Sequence, residues 1–211
     1  MEKSSNMMME ELGGRVASVW AGLRPTTRSM FERALQSPSS APAVRNANVY
    51  DARAEWELSR LLAALDDRVH DQAALSLSLE QTRELGRMAE TCALVLHAEA
   101  RSAEVFAQLF ERALGVHDYA RVDTLADTLA ARLPPSEVCE LARHANPAVR
   151  ALAYETLAQA PTSTLVELLG DPVDMEVARE ALAAQADDYG SEEARWLLNA
   201  LERAGEEEDE L

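Results

Sequence analysis

Residues 134–158 read PPSEVCELARHANPAVRALAYETLA and contain the clearest indication of how the chain folds. Asn146-Pro147 divides it into two segments whose apolar residues recur at helical spacing. Proline suits the first turn of a helix, because its missing N–H would have no intrahelical acceptor there. Asn146 has a side chain of the type that caps a helix start. The stretch therefore predicts two helices joined by a tight corner.

The same pattern recurs on both sides of this stretch. Asp171-Pro172 lies 25 residues after Asn146-Pro147, and residues 128–130 (Thr-Leu-Ala) match residues 156–158 at an offset of 28. A unit of this length cannot bury its own apolar face, so neighbouring units must stack on one another. Residues from about 120 to 203 are therefore predicted to form a stack of helix pairs.

The segment from Pro134 to Ala142, continuing as Asn146-Pro147-Ala148-Val149-Arg150, resembles HEAT-like repeats. Its short period is similar to that of the related leucine-rich-variant repeats of bacteria. The resemblance implies an α-solenoid, and such families are mostly interaction scaffolds, with a few enzymes among them. The next unit departs from the pattern, because Asp174-Met175 stands where the first unit has Val149-Arg150.

The composition extends the helical prediction to the whole chain. Hydrophobic residues make up 47% and aromatic residues 5%, so the apolar material is mostly Ala and Leu, which are strong helix formers. No stretch alternates with period two for long enough to predict a half-buried strand. The expected fold class is all-α: an α–α superhelix, in the form of a short HEAT-like solenoid, preceded by an N-terminal helical bundle or cap.

Four regions are expected along the chain. Residues 1–48 contain N-terminal helices and a Pro/Ser linker, and residues 49–117 form a helical region that packs on the solenoid. Residues 118–204 contain the repeats, and residues 205–211 form an acidic disordered tail.

Two local signals give helix limits in the first half of the chain. A break is expected at Arg24-Pro25, because proline interrupts a helix. A longer helix is expected from about Val49 to Asp66, with Asn48 as its cap and an apolar stripe of Trp56, Leu61, Leu62 and Leu65.

The charge of the chain limits the partners it is expected to bind. There are 37 acidic and 20 basic residues, for a formal net charge of −17, and the basic residues are scattered along the sequence. A protein that binds nucleic acid needs a basic face, because it must replace the counterions of the phosphates. No segment has the roughly 18 consecutive apolar residues of a membrane helix. We therefore expect neither nucleic acid nor a membrane as a partner, and a DNA-binding solenoid is the least favoured function.

The two cysteines, Cys92 and Cys139, lie far apart in the sequence, each inside a helical apolar pattern. A disulfide framework requires more cysteines in a smaller, loop-rich chain, so we expect two buried, reduced thiols. The first residues also lack the apolar segment of a secretory signal. These observations predict a cytoplasmic protein.

Arg121, Arg150 and Arg179 recur near the starts of the second helices of the repeats. In one interpretation each arginine bonds within the chain, to an acidic residue of the adjacent unit. In the other, the arginines form a row that binds an acidic or C-terminal peptide. Trp196 is correspondingly either part of the core or end-cap packing, or an exposed binding anchor. These four residues are the candidate partner-binding residues.

His70-Asp71 and His117-Asp118 are His-Asp pairs of the kind that helical metal-dependent phosphohydrolases use. Such chemistry needs several imidazoles and carboxylates on one divalent metal. Each pair also lies at an expected helix boundary, where aspartate is favoured as a cap. We predict no catalytic residue, no metal and no cofactor, and keep His70, His117 and Asp118 as metal ligands only in an alternative hypothesis.

The expected function is a non-catalytic protein–protein interaction or scaffold module that uses an α-solenoid surface. Its partner is another protein, whose identity the sequence does not indicate. Homo-oligomerisation is a further expectation, because a short stack exposes its last helix unless another chain covers it. The alternative function is a metal-dependent helical hydrolase that uses the His-Asp pairs.

Overall fold

A computed structural model of the chain describes residues 9–36, 50–71 and 77–209. These residues form helices joined by short connections, and none of them lies in a β-strand, so the all-α prediction is confirmed. The chain divides into two compact units, Met1–Arg101 and Ser102–Leu211. Among the helices described, none is long and apolar enough to cross a membrane.

The described part of the first unit contains a helical turn at residues 9–12 and four longer helices. These are α1 (Gly14–Gly22), α2 (Pro25–Gln36), α3 (Ala52–His70) and α4 (Leu79–Glu99). The longest two, α3 and α4, pack along each other, while α1 packs on α3 and α2 packs on both α3 and α4. Trp20 and Phe31 are buried and meet edge to face, with ring centroids 6.0 Å apart.

The ends of these helices follow local signals. The break predicted at Arg24-Pro25 is confirmed, because α1 ends at Gly22 and α2 begins at Pro25. At the start of α3, the Asp51 carboxylate accepts hydrogen bonds from two backbone N–H groups and is the N-cap. Asn48, the predicted cap, and the predicted Pro/Ser linker lie in residues 37–49, outside the described residues.

The outward face of α3 differs from the prediction. Leu61, Leu62 and Leu65 of the predicted apolar stripe are buried, whereas Trp56 is 50% exposed, so its inclusion in that stripe is wrong. The guanidinium of Arg60 lies over the Trp56 ring, 4.7 Å from its centroid. Two carboxylates, Glu55 and Glu57, are buried on either side of Trp56 in the sequence.

Hydrogen bonds explain why Glu57 is buried. Its carboxylate accepts hydrogen bonds from the Thr27 hydroxyl, the Arg24 backbone N–H at 3.2 Å and the Arg24 Nε at 3.1 Å. Burial by itself raises the pKa of Glu57, but these hydrogen bonds and the charge of Arg24 hold that pKa below its ordinary value. The ionised carboxylate therefore joins α3 to the start of α2.

The second unit contains seven described helices. They are α5 (Ala103–Gly115), α6 (Tyr119–Arg132), α7 (Pro135–Ala142), α8 (Pro147–Ala158), α9 (Thr162–Leu168), α10 (Met175–Asp187) and α11 (Glu192–Asp209). The last of these, α11, extends through most of the segment that was expected to be a disordered tail.

The helices of the second unit pack as successive pairs. Within the pairs, α5 packs on α6, α7 on α8 and α9 on α10. Between pairs, the first helices meet in the order α5, α7, α9 and the second helices in the order α6, α8, α10, with α11 packed on α10. Alanines at inner positions, such as Ala142, Ala153 and Ala178, are buried. Their small side chains let neighbouring helices approach closely.

The corner between α7 and α8 has the predicted form. The Asn146 side chain accepts a 3.0 Å hydrogen bond from the Ala148 N–H, and Pro147 occupies the first helical position. Nη1 of Arg150 donates hydrogen bonds to the carbonyls of His144, at 2.9 Å, and Ala145, at 2.8 Å. Arg150 thus satisfies two carbonyl groups that follow the end of α7.

The corner between α9 and α10 is longer than its counterpart. Asp171 accepts a 2.8 Å hydrogen bond from the Val173 N–H, but α10 begins only at Met175. Asp174, immediately before α10, is buried and accepts a 2.8 Å hydrogen bond from Nη1 of Arg143. The start of α10 therefore differs from the start of α8, although the sequence pattern predicts the same corner at both.

Both cysteines are free and buried, as predicted. Burial raises the pKa of the Cys92 thiol, and its Sγ donates a 3.3 Å hydrogen bond to the Leu58 carbonyl. Burial and the nearby charge of Asp174 raise the pKa of Cys139 to about 11. Both side chains are therefore protonated at neutral pH and pack as small apolar groups.

Candidate functional site

A groove of about 680 Å³ opens in the second unit between α6 and α8, and residues from the starts of α7 and α9 also line it. We call it the α6–α8 groove. It is lined by Asp123, Ala126, Asp127, Ala130, Leu133, Pro135, Val138, Leu152, Glu155, Thr156, Leu157, Gln159, Ala160, Pro161 and Thr164. Its volume falls within the roughly 300–1,000 Å³ range of ligand-binding clefts.

The wall formed by α6 is a single helix face. Asp123, Asp127 and Ala130 succeed one another at spacings of four and three residues, which places them on one side of the helix. The opposite side of α6 buries Val122, Leu125 and Leu129 in the core. The N-cap of α6 is Asp118, whose carboxylate accepts a hydrogen bond from the Arg121 N–H. Because Ala126 and Ala130 are small, they leave the groove open on this side.

The wall formed by α8 has the same construction. Leu152, Glu155, Thr156 and Gln159 follow one face of the helix, while Val149, Ala153 and Leu157 are buried or form the floor. The Thr156 hydroxyl donates a 2.8 Å hydrogen bond to the Leu152 carbonyl of its own helix. This wall therefore combines apolar surface with one carboxylate and one amide.

The floor of the groove is apolar. Leu133, Val138 and Leu157 are buried beneath it, and Leu152 is half-buried at its side. Leu133 follows α6, and Val138 belongs to α7, which begins at Pro135. The proline-marked start of α7 therefore positions the floor of the groove between the two walls.

The charged side chains that line the groove are all acidic. Asp123 and Asp127 are exposed on the α6 wall, and Glu155 is exposed on the α8 wall. Among the described residues that line the groove, none is Arg, Lys or His. Within the described part of the chain these carboxylates form no ion pair, because the acidic residues that pair with arginines there all lie outside the groove. The groove is thus an apolar surface bordered by negative charge.

None of the four predicted partner-binding residues lines the α6–α8 groove. Arg150 is engaged with the corner carbonyls, and Arg121 Nε lies 3.5 Å from Oδ2 of Asp118, three residues before it. Arg179 is exposed on α10, and Trp196 is 68% exposed on α11. Arg121 and Arg150 thus make local contacts at their own helix starts, while Arg179 and Trp196 remain candidates for a contact surface.

The residues of the metal hypothesis occupy helix ends. Nδ1 of His70 lies 2.7 Å from the Asp66 carbonyl at the end of α3. His117 is exposed with a positive φ of 58° just before α6, and Asp118 caps that helix, as the capping interpretation predicted. Across the described ranges, no group of three or more His, Cys, Asp or Glu residues is placed to hold a metal ion.

Comparisons of the chain with protein-family models, with curated proteins and with solved structures found no match. The candidate site therefore rests on its own geometry. The groove was not predicted from the sequence, in which the recurring arginines and Trp196 were the candidate residues. The available signal was the face Asp123, Asp127, Ala130 on one helix and Leu152, Glu155, Gln159 on a helix predicted to stack next to it.

Proposed function

We propose that the chain is a non-catalytic protein-interaction module whose second unit is a short HEAT-like α-solenoid, and that the α6–α8 groove holds a partner protein. The observation that carries this proposal is the open groove itself, with an apolar floor and a polar border. Protein interfaces combine an apolar centre with a polar rim in the same way.

The stacked helix pairs support a role in holding a partner. Each wall of the groove is formed by the second helix of a pair. These two helices, α6 and α8, belong to neighbouring pairs and pack on one another. A surface built from adjacent rigid helices keeps its shape, which lowers the entropic cost of binding. The protein is proposed to act in the cytoplasm, where two free, buried thiols such as Cys92 and Cys139 are stable.

Site-specific photo-crosslinking in cells of the source organism tests this function. A benzoylphenylalanine replaces Gln159, an exposed residue of the groove lining at the end of α8, and in a matched protein it replaces Ala151, which is exposed on α8 outside the lining. We expect a discrete set of protein adducts at position 159 that is missing at position 151. Identical adducts at the two positions, or none at position 159, would contradict the proposal.

A further inference from the structure

We infer that the α6–α8 groove binds a cationic amphipathic helix of the partner protein, with apolar side chains on the floor and Arg or Lys against the walls. This inference rests on the proposed function and specifies the chemistry of the partner. It follows from two features that the groove combines, an apolar floor and carboxylates on both walls.

The carboxylates occur on both sides of the groove. Asp123 and Asp127 lie one helical turn apart on α6, and Glu155 stands on α8 across from them. They repel one another, and no described cation of this chain neutralises them within the groove. A partner that carries positive charge along its flanks relieves this repulsion on binding, whereas an acidic partner increases it.

The apolar floor determines where the charges of the partner must be. The half-buried Leu152 and the side chains below it, Leu133 and Val138, offer contacts only to apolar groups that enter between the walls. Cations at the same depth would lose their hydration without reaching the exposed carboxylates above. A helix with an apolar stripe and basic residues on either side places both kinds of group correctly.

The arginines that would serve an acidic peptide are placed elsewhere. The Arg150 guanidinium is bound to the carbonyls of His144 and Ala145, and Arg121 is beside Asp118. Neither lines the groove. The net charge of −17 also favours a basic partner over an acidic one, because long-range attraction accelerates the approach of a basic partner.

Fluorescence anisotropy with two designed peptides tests the inference on the full chain. Both are labelled helices of about 16 residues with leucines at i, i+3, i+4 and i+7. One carries arginines beside the leucine stripe, and the other carries glutamates at the same positions. We expect saturable binding of the arginine peptide, weakening as salt is raised, and no binding of the glutamate peptide.

Matched variants distinguish the groove from the general acidity of the chain. The pair D123N and D127N removes two groove carboxylates, and the pair D187N and D188N removes two exposed carboxylates near the end of α10. At the usual strength of exposed ion pairs, the groove pair weakens arginine-peptide binding about fivefold. The control pair leaves it within about twofold. Equal effects of the two pairs would overturn the inference.

A third variant fills the groove without removing charge. Ala130→Trp places a large side chain on the exposed α6 wall, and far-ultraviolet circular dichroism verifies that the helices are retained. We expect at least a tenfold loss of peptide affinity, and unchanged affinity would overturn the inference. If a crosslinker at position 159 still captures a partner in cells while the arginine peptide binds no better than the glutamate peptide, the charge assignment is overturned and the interaction function stands.

Discussion

Arg143, which follows α7, donates a 2.8 Å hydrogen bond through Nη1 to Oδ1 of Asp174, which precedes α10. The Asp174 side chain is 6% exposed, whereas that of Arg143 is 39% exposed. The same Nη1 also donates to the Val173 carbonyl at 3.1 Å. Arg143 therefore donates hydrogen bonds to both the Val173 carbonyl and the Asp174 carboxylate at the irregular corner between α9 and α10.

We expect Arg143→Met to lower the free energy of unfolding by about 1–2 kcal/mol, because it leaves the buried Asp174 carboxylate without its cation. Urea denaturation measures the change. Arg179→Met, on the exposed side of α10, is the matched control and should remain within about 0.5 kcal/mol of the parent. Adding Asp174→Asn to Arg143→Met should recover part of the loss, and equal midpoints for the two arginine variants would contradict the expectation.

The two corners show which parts of the fold can be predicted from sequence. The corner at Asn146-Pro147 depends on groups within a few residues, so the cap and the start of α8 are predicted correctly. The matching residues Asp171-Pro172 do not start α10 at the equivalent place. Its start is held by Arg143, about thirty residues earlier, and a local pattern contains no information on that contact.

The core and the groove of the protein depend on similar long-range contacts. Trp56 is a reasonable core residue by helical spacing, yet Glu57 is buried beside it because Thr27 and Arg24 supply its hydrogen bonds. The α6–α8 groove depends on how far apart two helix faces stand, which follows from packing rather than from either helix alone. The sequence therefore predicts the elements and the pairing of helices better than the surface between them.

The turn before α1 requires glycine at position 13. Gly13 has φ 134° and ψ 154°, a region that is essentially restricted to glycine, and an added Cβ would lie 3.3 Å from Arg68 Nε. We expect Gly13→Ala to lower the free energy of unfolding by about 1–3 kcal/mol. Gly14→Ala is the matched control, because Gly14 lies in α1 with open space around its Cβ position. It should be neutral or stabilising by up to about 1 kcal/mol in thermal denaturation, and similar losses in both variants would contradict this account.

The buried Glu57 should make the first unit sensitive to acid. Its pKa lies below the ordinary value of 4.5, so its contribution to stability is fully present above pH 4.5 and is lost as the pH falls through the lower native pKa. We expect Glu57→Gln to destabilise the protein by about 1–3 kcal/mol at pH 7 and by less at about pH 3. Chemical denaturation at several pH values measures the difference, with the exposed Glu10→Gln as the control. A destabilisation by Glu57→Gln that is independent of pH would contradict the prediction.

The two buried cysteines should be unreactive in the folded chain. Burial raises the pKa of both thiols, to about 11 for Cys139, where the nearby carboxylate of Asp174 adds to the effect. The thiolate is the form that attacks a disulfide reagent, and at pH 8 neither cysteine is ionised or exposes its sulfur in the folded chain. We expect reaction with a chromogenic disulfide to be slow in native protein and complete for both thiols in denaturant. Asp174→Asn removes one cause of the raised pKa of Cys139, so that thiol should ionise at a lower pH in the folded variant than in the folded parent, while Cys92 should behave as in the parent. Rapid reaction of one native thiol at pH 8 would show that its site is accessible to solvent and would contradict the burial described.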